Sequence, residues 1–145
     1  MNTIPSLLGT TLSGRAFRIP EDLPSTPIAL IFGFDHEARH DVGVWKKFFT
    51  GQGIDFLSVP TTPKDFPAEA LAGTARAMKA HVPPAAWESI VQVHKGGAEL
   101  LSLFGWDPDH FAKVVLMNNG QTRLSHSSGP FNEGAAEAFR AAVQR

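Results

Sequence analysis

Apolar residues fall in short blocks along this chain, separated by Gly, Pro and polar clusters, and the blocks change period from strand-like to helix-like and back. Thr10 to Ile19 reads as two short strands around Ser13-Gly14, a hairpin signal. After Pro27, the run Ile28 to Phe34 (IALIFGF) is almost continuously apolar, which predicts a strand buried on both faces. A dense polar segment, Asp35 to Asp41, follows. Val44, Trp45, Phe48 and Phe49 then recur at helical spacing, predicting a helix that closes near Gly51. Ile54 to Pro60 predicts a second strand. Asp65 to Ala80 is Ala-rich, and its stripe of Phe66, Leu71, Ala75 and Met78 predicts a helix, broken by Pro83-Pro84.

Trp87 to His94 is ambiguous: Ile90, Val91 and Val93 favour a strand, with a helical turn before it. Gly97 to Phe104 reads as a short helix and Phe111 to Met117 as a strand. Asn119-Gly120 makes a hairpin turn, since both residues tolerate positive φ, and Thr122 to His126 is the return strand. Asn132 caps a last helix, Glu133 to Gln144, with Glu133 in its first turn and Arg140 near its end, as the helix dipole favours. Strands alternating with helices imply an α/β fold with a mainly parallel central sheet, mixed by the antiparallel hairpin that closes it, and helices on both faces.

The length of 145 residues fits one domain over 1–145, large enough to bury a core. Hydrophobic residues at 43% and charged residues at 19% argue for a folded globular chain. The formal net charge is −1 and the longest basic run is Lys46-Lys47, so the clustered basic footprint of a nucleic-acid binder is missing. No apolar stretch approaches the roughly 20 residues of a membrane helix, and the first residues lack a signal-peptide pattern, so a cytoplasmic protein without membrane insertion is expected. There is no cysteine, which excludes disulfides, thiolate ligands and a thiol nucleophile in this chain.

The sharpest motif is His36-Glu37-Ala38-Arg39-His40, which matches H-E-x-x-H, with Gly43 at the glycine of the longer metzincin pattern. On a helix, His36 and His40 would share a face and bind zinc while Glu37 polarised a water. Against this, Lys46 stands where the third histidine belongs, and Arg39 and Asp41 bring charge between and beside the ligands. The segment also lies where a helix begins, which would leave His36 outside it. The favoured reading is a polar loop and first turn with Asp35 as N-cap and Glu37 favoured by the dipole, with no cofactor or metal expected and His36 and His40 as weak ligand candidates. Ligands in open α/β sheets bind beyond the carboxyl ends of strands, so Asp35, His36, Glu37, Arg39 and His40 form the candidate pocket wall, with Trp45 behind them. Such a set would hold an anion at the helix start or serve as acid and base.

Weaker signals lie elsewhere. His81, His94, His110 and His126 are scattered and read as surface or hydrogen-bonded histidines. Ser125 beside His126 makes no dyad, because neighbours on a strand face opposite ways. Gly96-Gly97 opens a helix after a strand and reads as a tight turn or an approach to phosphate. Trp87, Trp106 and the eleven Phe read first as core. Trp106 and Phe111 flank Asp107-Pro108-Asp109 and make a candidate exposed apolar patch for a partner.

The order of elements resembles the thioredoxin-like fold in its peroxiredoxin-like variant with an added N-terminal β-hairpin. Four features carry the resemblance: the opening Leu12 to Ile19 (LSGRAFRI), the buried strand Ile28 to Phe34 running into a polar loop and helix, the hairpin Val114 to Thr122 (VVLMNNGQT), and the final Ala-rich helix. The resemblance implies that redox cysteines would lie just after the first buried strand, where Asp35 to Asp41 stand, and that a cis-proline would precede the strand starting near Ala112. Phe111 stands there, and the nearest proline is Pro108. The run Ala77 to Pro83 (AMKAHVP), with Leu100 to Asp107 and the hairpin, resembles the cysteine-poor thioredoxin-fold proteins related to a mitochondrial ATP synthase assembly factor, which implies action by contact with a partner. The expected function is therefore non-redox binding of a protein partner, a second copy in a homodimer, or a small ligand. The alternative is a small metal-dependent hydrolase or anion binder built on Asp35 to Asp41.

Overall fold

The computed structural model describes residues 4–144. Its strands are β1 (Leu7–Thr11), β2 (Ala16–Ile19), β3 (Ile28–Gly33), β4 (Phe56–Pro60), β5 (Val91–Lys95), β6 (Lys113–Asn118) and β7 (Gln121–His126). The α-helices are α1 (Arg39–Gln52), α2 (Ala72–Lys79), α3 (Gly97–Phe104) and α4 (Glu133–Val143). Short 3₁₀ turns precede α1 (His36–Ala38), α2 (Ala68–Leu71) and β5 (Pro84–Ser89).

The main sheet has the order β4-β3-β6-β7, and β2-β1-β5 forms a second sheet. Parallel bridges Ser58–Ile90 and Thr61–Val93 join β4 to β5 and link the two. The sheet is mixed, as expected, but not mainly parallel: β3/β4 is the one parallel ladder among the described residues, while β3/β6, β6/β7, β1/β2 and β1/β5 are antiparallel. A direct hairpin from β6 to β7, with Asn119 at φ 54° and Gly120 at φ 77°, fixes that half as antiparallel.

β3 is buried on both faces, as an uninterrupted apolar run must be. On one face Ala29, Ile31, Val114 and Leu116 pack against Trp45 and Phe49 of α1 and Phe139 of α4. On the other, Leu30, Phe32, Leu57, Val59, Val91 and Val93 pack with Leu7, Phe17, Ile19, Leu100 of α3 and Trp106. Helices thus cover both faces, and the N-terminal hairpin β1/β2 closes the second cluster. Gly53, not Gly51, terminates α1: its φ of 67° is left-handed and its N–H reaches the Phe49 and Thr50 carbonyls.

The Ala-rich stretch departs from expectation. Only Ala72–Lys79 is α-helical, Phe66 lies outside any helix, and α2 buries no residue. The Gly96-Gly97 pair is a packing device. Gly96 sits at φ 100° with a would-be Cβ 2.6 Å from the Ser6 carbonyl oxygen, and a Cβ on Gly97 would overlap the Thr62 carbonyl. No side chain fits at either position, which accounts for the pair by packing. Among the described residues, no helix is long and apolar enough to cross a membrane.

Candidate functional site

β3 ends in buried Phe34, and the chain turns outward at Asp35, whose extended backbone (φ −147°) lets its side chain cap the following turn. Asp35 Oδ1 accepts from the Ala38 N–H at 2.9 Å. This is the expected N-cap, set on the 3₁₀ turn that leads into α1. Ala38 alone of residues 35–40 is buried; Asp35, His36, Glu37, Arg39 and His40 are exposed.

Because β6 runs antiparallel to β3, with Phe32 opposite Lys113, the segment entering β6 lies beside the start of α1. That brings His110 to Asp35: Nδ1 donates to Oδ2 at 2.7 Å, and Glu37 Oε2 stands 3.5 Å from the same nitrogen. The hydrogen bond to Asp35, then the Glu37 and Asp35 charges, push His110 above the ordinary imidazole value, although the ring is 63% exposed. The carboxylate fixes the proton on Nδ1 and leaves Nε2 as the ring's other functional nitrogen. No hydroxyl group among the described residues hydrogen-bonds to this ring, so the pair can orient and exchange a proton but lacks a neighbouring nucleophile.

Two further carboxylates hold the 109–112 segment. Asp109 Oδ1 accepts from Phe111 N at 2.9 Å and from the buried Lys113 Nζ at 2.8 Å, and that ammonium also donates to the Ser127 carbonyl at 3.2 Å. Burial opposes ionisation of Asp109, but the bonds from Lys113 and Phe111 outweigh it and hold its carboxyl below the ordinary value. Asp41, buried on α1, accepts from Ala112 N and from Phe131 N, each at 2.9 Å. The site is thus a braced surface: α1 and the 109–112 segment are tied by carboxylates at successive levels. Along the outer side of α1, Glu37, Arg39, His40, Gly43, Val44 and Lys47 line an open groove.

Several expectations need correction. Trp45 is fully buried in the α1–α4 cluster, its ring among Phe49, Phe131 and Phe139, so it cannot back a surface pocket. It shares the inward stripe Asp41, Trp45, Phe49, four residues apart, while Arg39 and His40 point out. Trp106 is also buried, stacked on Phe104 with centroids 4.4 Å apart and packed near Phe32, so it does not belong to an exposed patch; Phe111 is 37% exposed. His36 lies in the 3₁₀ turn and His40 in α1, so the shared α-helical face that H-E-x-x-H requires is not formed. Among the described residues, no group of three or more His, Asp or Glu side chains is placed to hold a metal. Trp87 is half-buried, its Nε1 donating to the Val82 carbonyl at 2.9 Å.

His110 is the site residue the sequence reading missed. Its signal was present: once β6 is placed antiparallel to β3, residues just before β6 must lie beside those just after β3.

No protein-family model matches the chain, and no curated protein matches it in sequence. Solved structures do. A putative electron transport protein from Aquifex aeolicus has a TM-score of 0.66 at 15% identity, over 99% of this chain and 95% of that one. The exposed lipoprotein thioredoxin of Streptococcus pneumoniae has a TM-score of 0.60 at 12% identity, over 94% and 98%. A reduced peroxiredoxin of Vibrio vulnificus in complex with hydrogen peroxide has a TM-score of 0.56 at 18% identity, over 99% and 94%. The chain has a thioredoxin-like fold. Within that fold it is a cysteine-free example with an N-terminal β-hairpin.

Proposed function

We propose that this chain is a non-redox, cytoplasmic thioredoxin-fold protein that works by binding a partner protein, through the surface formed by the start of α1 and the segment entering β6. The supporting observation is the state of Asp35. It stands where the fold resemblance places redox sulfur, and both its oxygens are engaged, one by the Ala38 N–H and one by His110. A polar latch occupies the place of a reactive group. Exposed Phe111, adjacent to His110, supplies the apolar component that a contact surface needs, and Glu37 and Arg39, with His36 just before them, supply a polar and charged rim.

The test is a photo-crosslinking residue introduced at Phe111, with exposed Thr74 on α2 as control position, in cells expressing the full chain. A defined product from position 111, absent from 74 and reduced severalfold by His110→Ala, is the expected result. Sedimentation then tells a second copy of the chain from a different protein. Equal labelling at both positions, or none at 111, overturns the reading.

A further inference from the structure

We propose that the cavity between helix α2 and the outward face of the β2-β1-β5 sheet binds a small uncharged molecule with an apolar body and one amide-like edge, such as a primary carboxamide or a lactam. This site is separate from the partner surface and does not rest on it.

The central observation is Gln92. Val91 and Val93 point into the apolar cluster, so Gln92 between them points the other way, into this cavity. The residue is 5% exposed, and what it exposes faces the cavity, with its carboxamide left free of side-chain hydrogen bonds to the protein among the described residues. The carboxamide is not among the buried side-chain groups left without a partner, so its polar atoms open onto the cavity, where a ligand that answers them takes the place of water. A carboxamide offers one donor edge and one acceptor in a single plane, which a second amide pairs with in full. Thr10, opposite Gln92 in the β1/β5 register, brings a hydroxyl to the same wall. His94 is committed: its Nδ1 donates to the Phe66 carbonyl at 3.1 Å, leaving Nε2 as an acceptor.

The rest of the lining selects against charge. Leu12, Leu71, Ala72 and Ala75 make apolar walls, and the only ionised side chains there, Glu69 and Lys79, are of opposite sign. Lys79 is further engaged over the Trp87 ring, 5.2 Å from its centroid. The cavity volume of about 320 Å³ stands at the lower end of ligand pockets, roughly 300–1,000 Å³.

The cover suits an exchangeable ligand. Phe66 N donates to the His94 carbonyl at 2.9 Å before α2, and Trp87 Nε1 donates to the Val82 carbonyl at 2.9 Å after it. Between these ties α2 buries no side chain, and the methyls of Ala72 and Ala75 leave apolar contact unmade that a ligand supplies.

The experiment titrates ¹⁵N-labelled full chain with benzamide, and separately with its charged counterparts benzoate and benzylamine. Benzamide is expected to shift the Gln92 side-chain amide pair and the backbone amides of 72–79, and to bind at least about tenfold more tightly than either ion. Gln92→Leu and Ala75→Phe should each weaken it by about tenfold or more, the first by removing the polar partner and the second by filling the cavity from the roof. Ala75 lies on a helix with no buried residue, so that variant keeps the fold and decides the matter even if Gln92→Leu does not. No shift up to the solubility limit, shifts confined to other regions, equal binding of the three probes, or unchanged binding to Ala75→Phe overturns the proposal. None of these outcomes touches crosslinking at Phe111, and failed crosslinking leaves the benzamide result standing.

Discussion

Helices α1 and α2 lie beside the same continuous arrangement of strands, yet only one is held by its side chains. α1 buries Asp41, Trp45 and Phe49, one per turn, whereas α2 buries none. The difference is one of reach. Trp45 spans the gap to the sheet and meets Phe49, Phe131, Phe139 and His126. Ala72 and Ala75 cannot span it, and a cavity remains. A rigidly seated helix suits a surface whose exposed residues must keep their positions, and a helix tied mainly at its flanks suits a cover. The two candidate sites divide along this line: fixed geometry at the start of α1, adjustable space beneath α2.

Breaking the comparison at its strongest point means removing Trp45. Trp45→Ala is expected to cost about 3–5 kcal/mol, read from urea denaturation, because a fully buried indole leaves a cavity walled by other rings. Leu71→Ser, at the start of α2, is expected to cost less than about 1 kcal/mol. Comparable losses would show that α2 is as firmly packed as α1.

Asp41 comes next. It answers two backbone N–H groups, that of Ala112 in a buried bond and that of Phe131 in a partly buried one. Asp41→Ala is expected to cost about 2–4 kcal/mol, since each unpaired buried donor costs about 1–3. Asp41→Asn keeps one acceptor oxygen and should fall between Ala and wild type. A loss below about 1 kcal/mol for Asp41→Ala would mean that the two segments hold their places without the carboxylate.

Much of this division was legible from residue types and spacing. The run Ile28 to Phe34 declared a doubly buried strand, Asn119-Gly120 a hairpin, and Asn132 a cap that does bond Ala135 N at 2.8 Å. The resemblance to the thioredoxin-like fold, carried by such blocks, agrees with the solved structures that match. Depth was less legible than direction. Trp106 reads both as core and, from Asp107-Pro108-Asp109 beside it, as part of an exposed patch; large rings are drawn into whichever cluster can enclose them, and Trp106, like Trp45, is buried. The α2 stripe misled for the opposite reason, since periodicity gives a face but not the distance to its partner. Gln92 was hidden because its flanking valines make the strand look wholly apolar, and an alternation of Val, Gln, Val, His discloses a polar cavity wall only when the cover is known. His110 depended on the antiparallel register of β6, a long-range pairing that local pattern does not state.

The smallest expected effect lies at the latch. His110 is raised above its ordinary value of 6.5, first by the hydrogen bond to Asp35, then by the charges of Glu37 and Asp35, with Asp109 adding to them and slight burial opposing. A group whose folded pKa is raised stabilises the fold when protonated in both states, so its contribution is complete below about 6.5 and is lost as pH rises through the higher folded value. The urea midpoint should therefore fall as pH rises just above that point, and by little, because the pair is exposed. Asp35→Asn removes the charge and most of the hydrogen-bond bias, so it should return the His110 titration, followed by NMR at the ring Cε1 proton, toward its ordinary position. Glu37→Gln should move it the same way by less, since that carboxylate stands farther off at 3.5 Å. An imidazole that titrates identically in wild type and Asp35→Asn would mean that the latch is open in solution, and the start of α1 would lose its claim to fixed geometry.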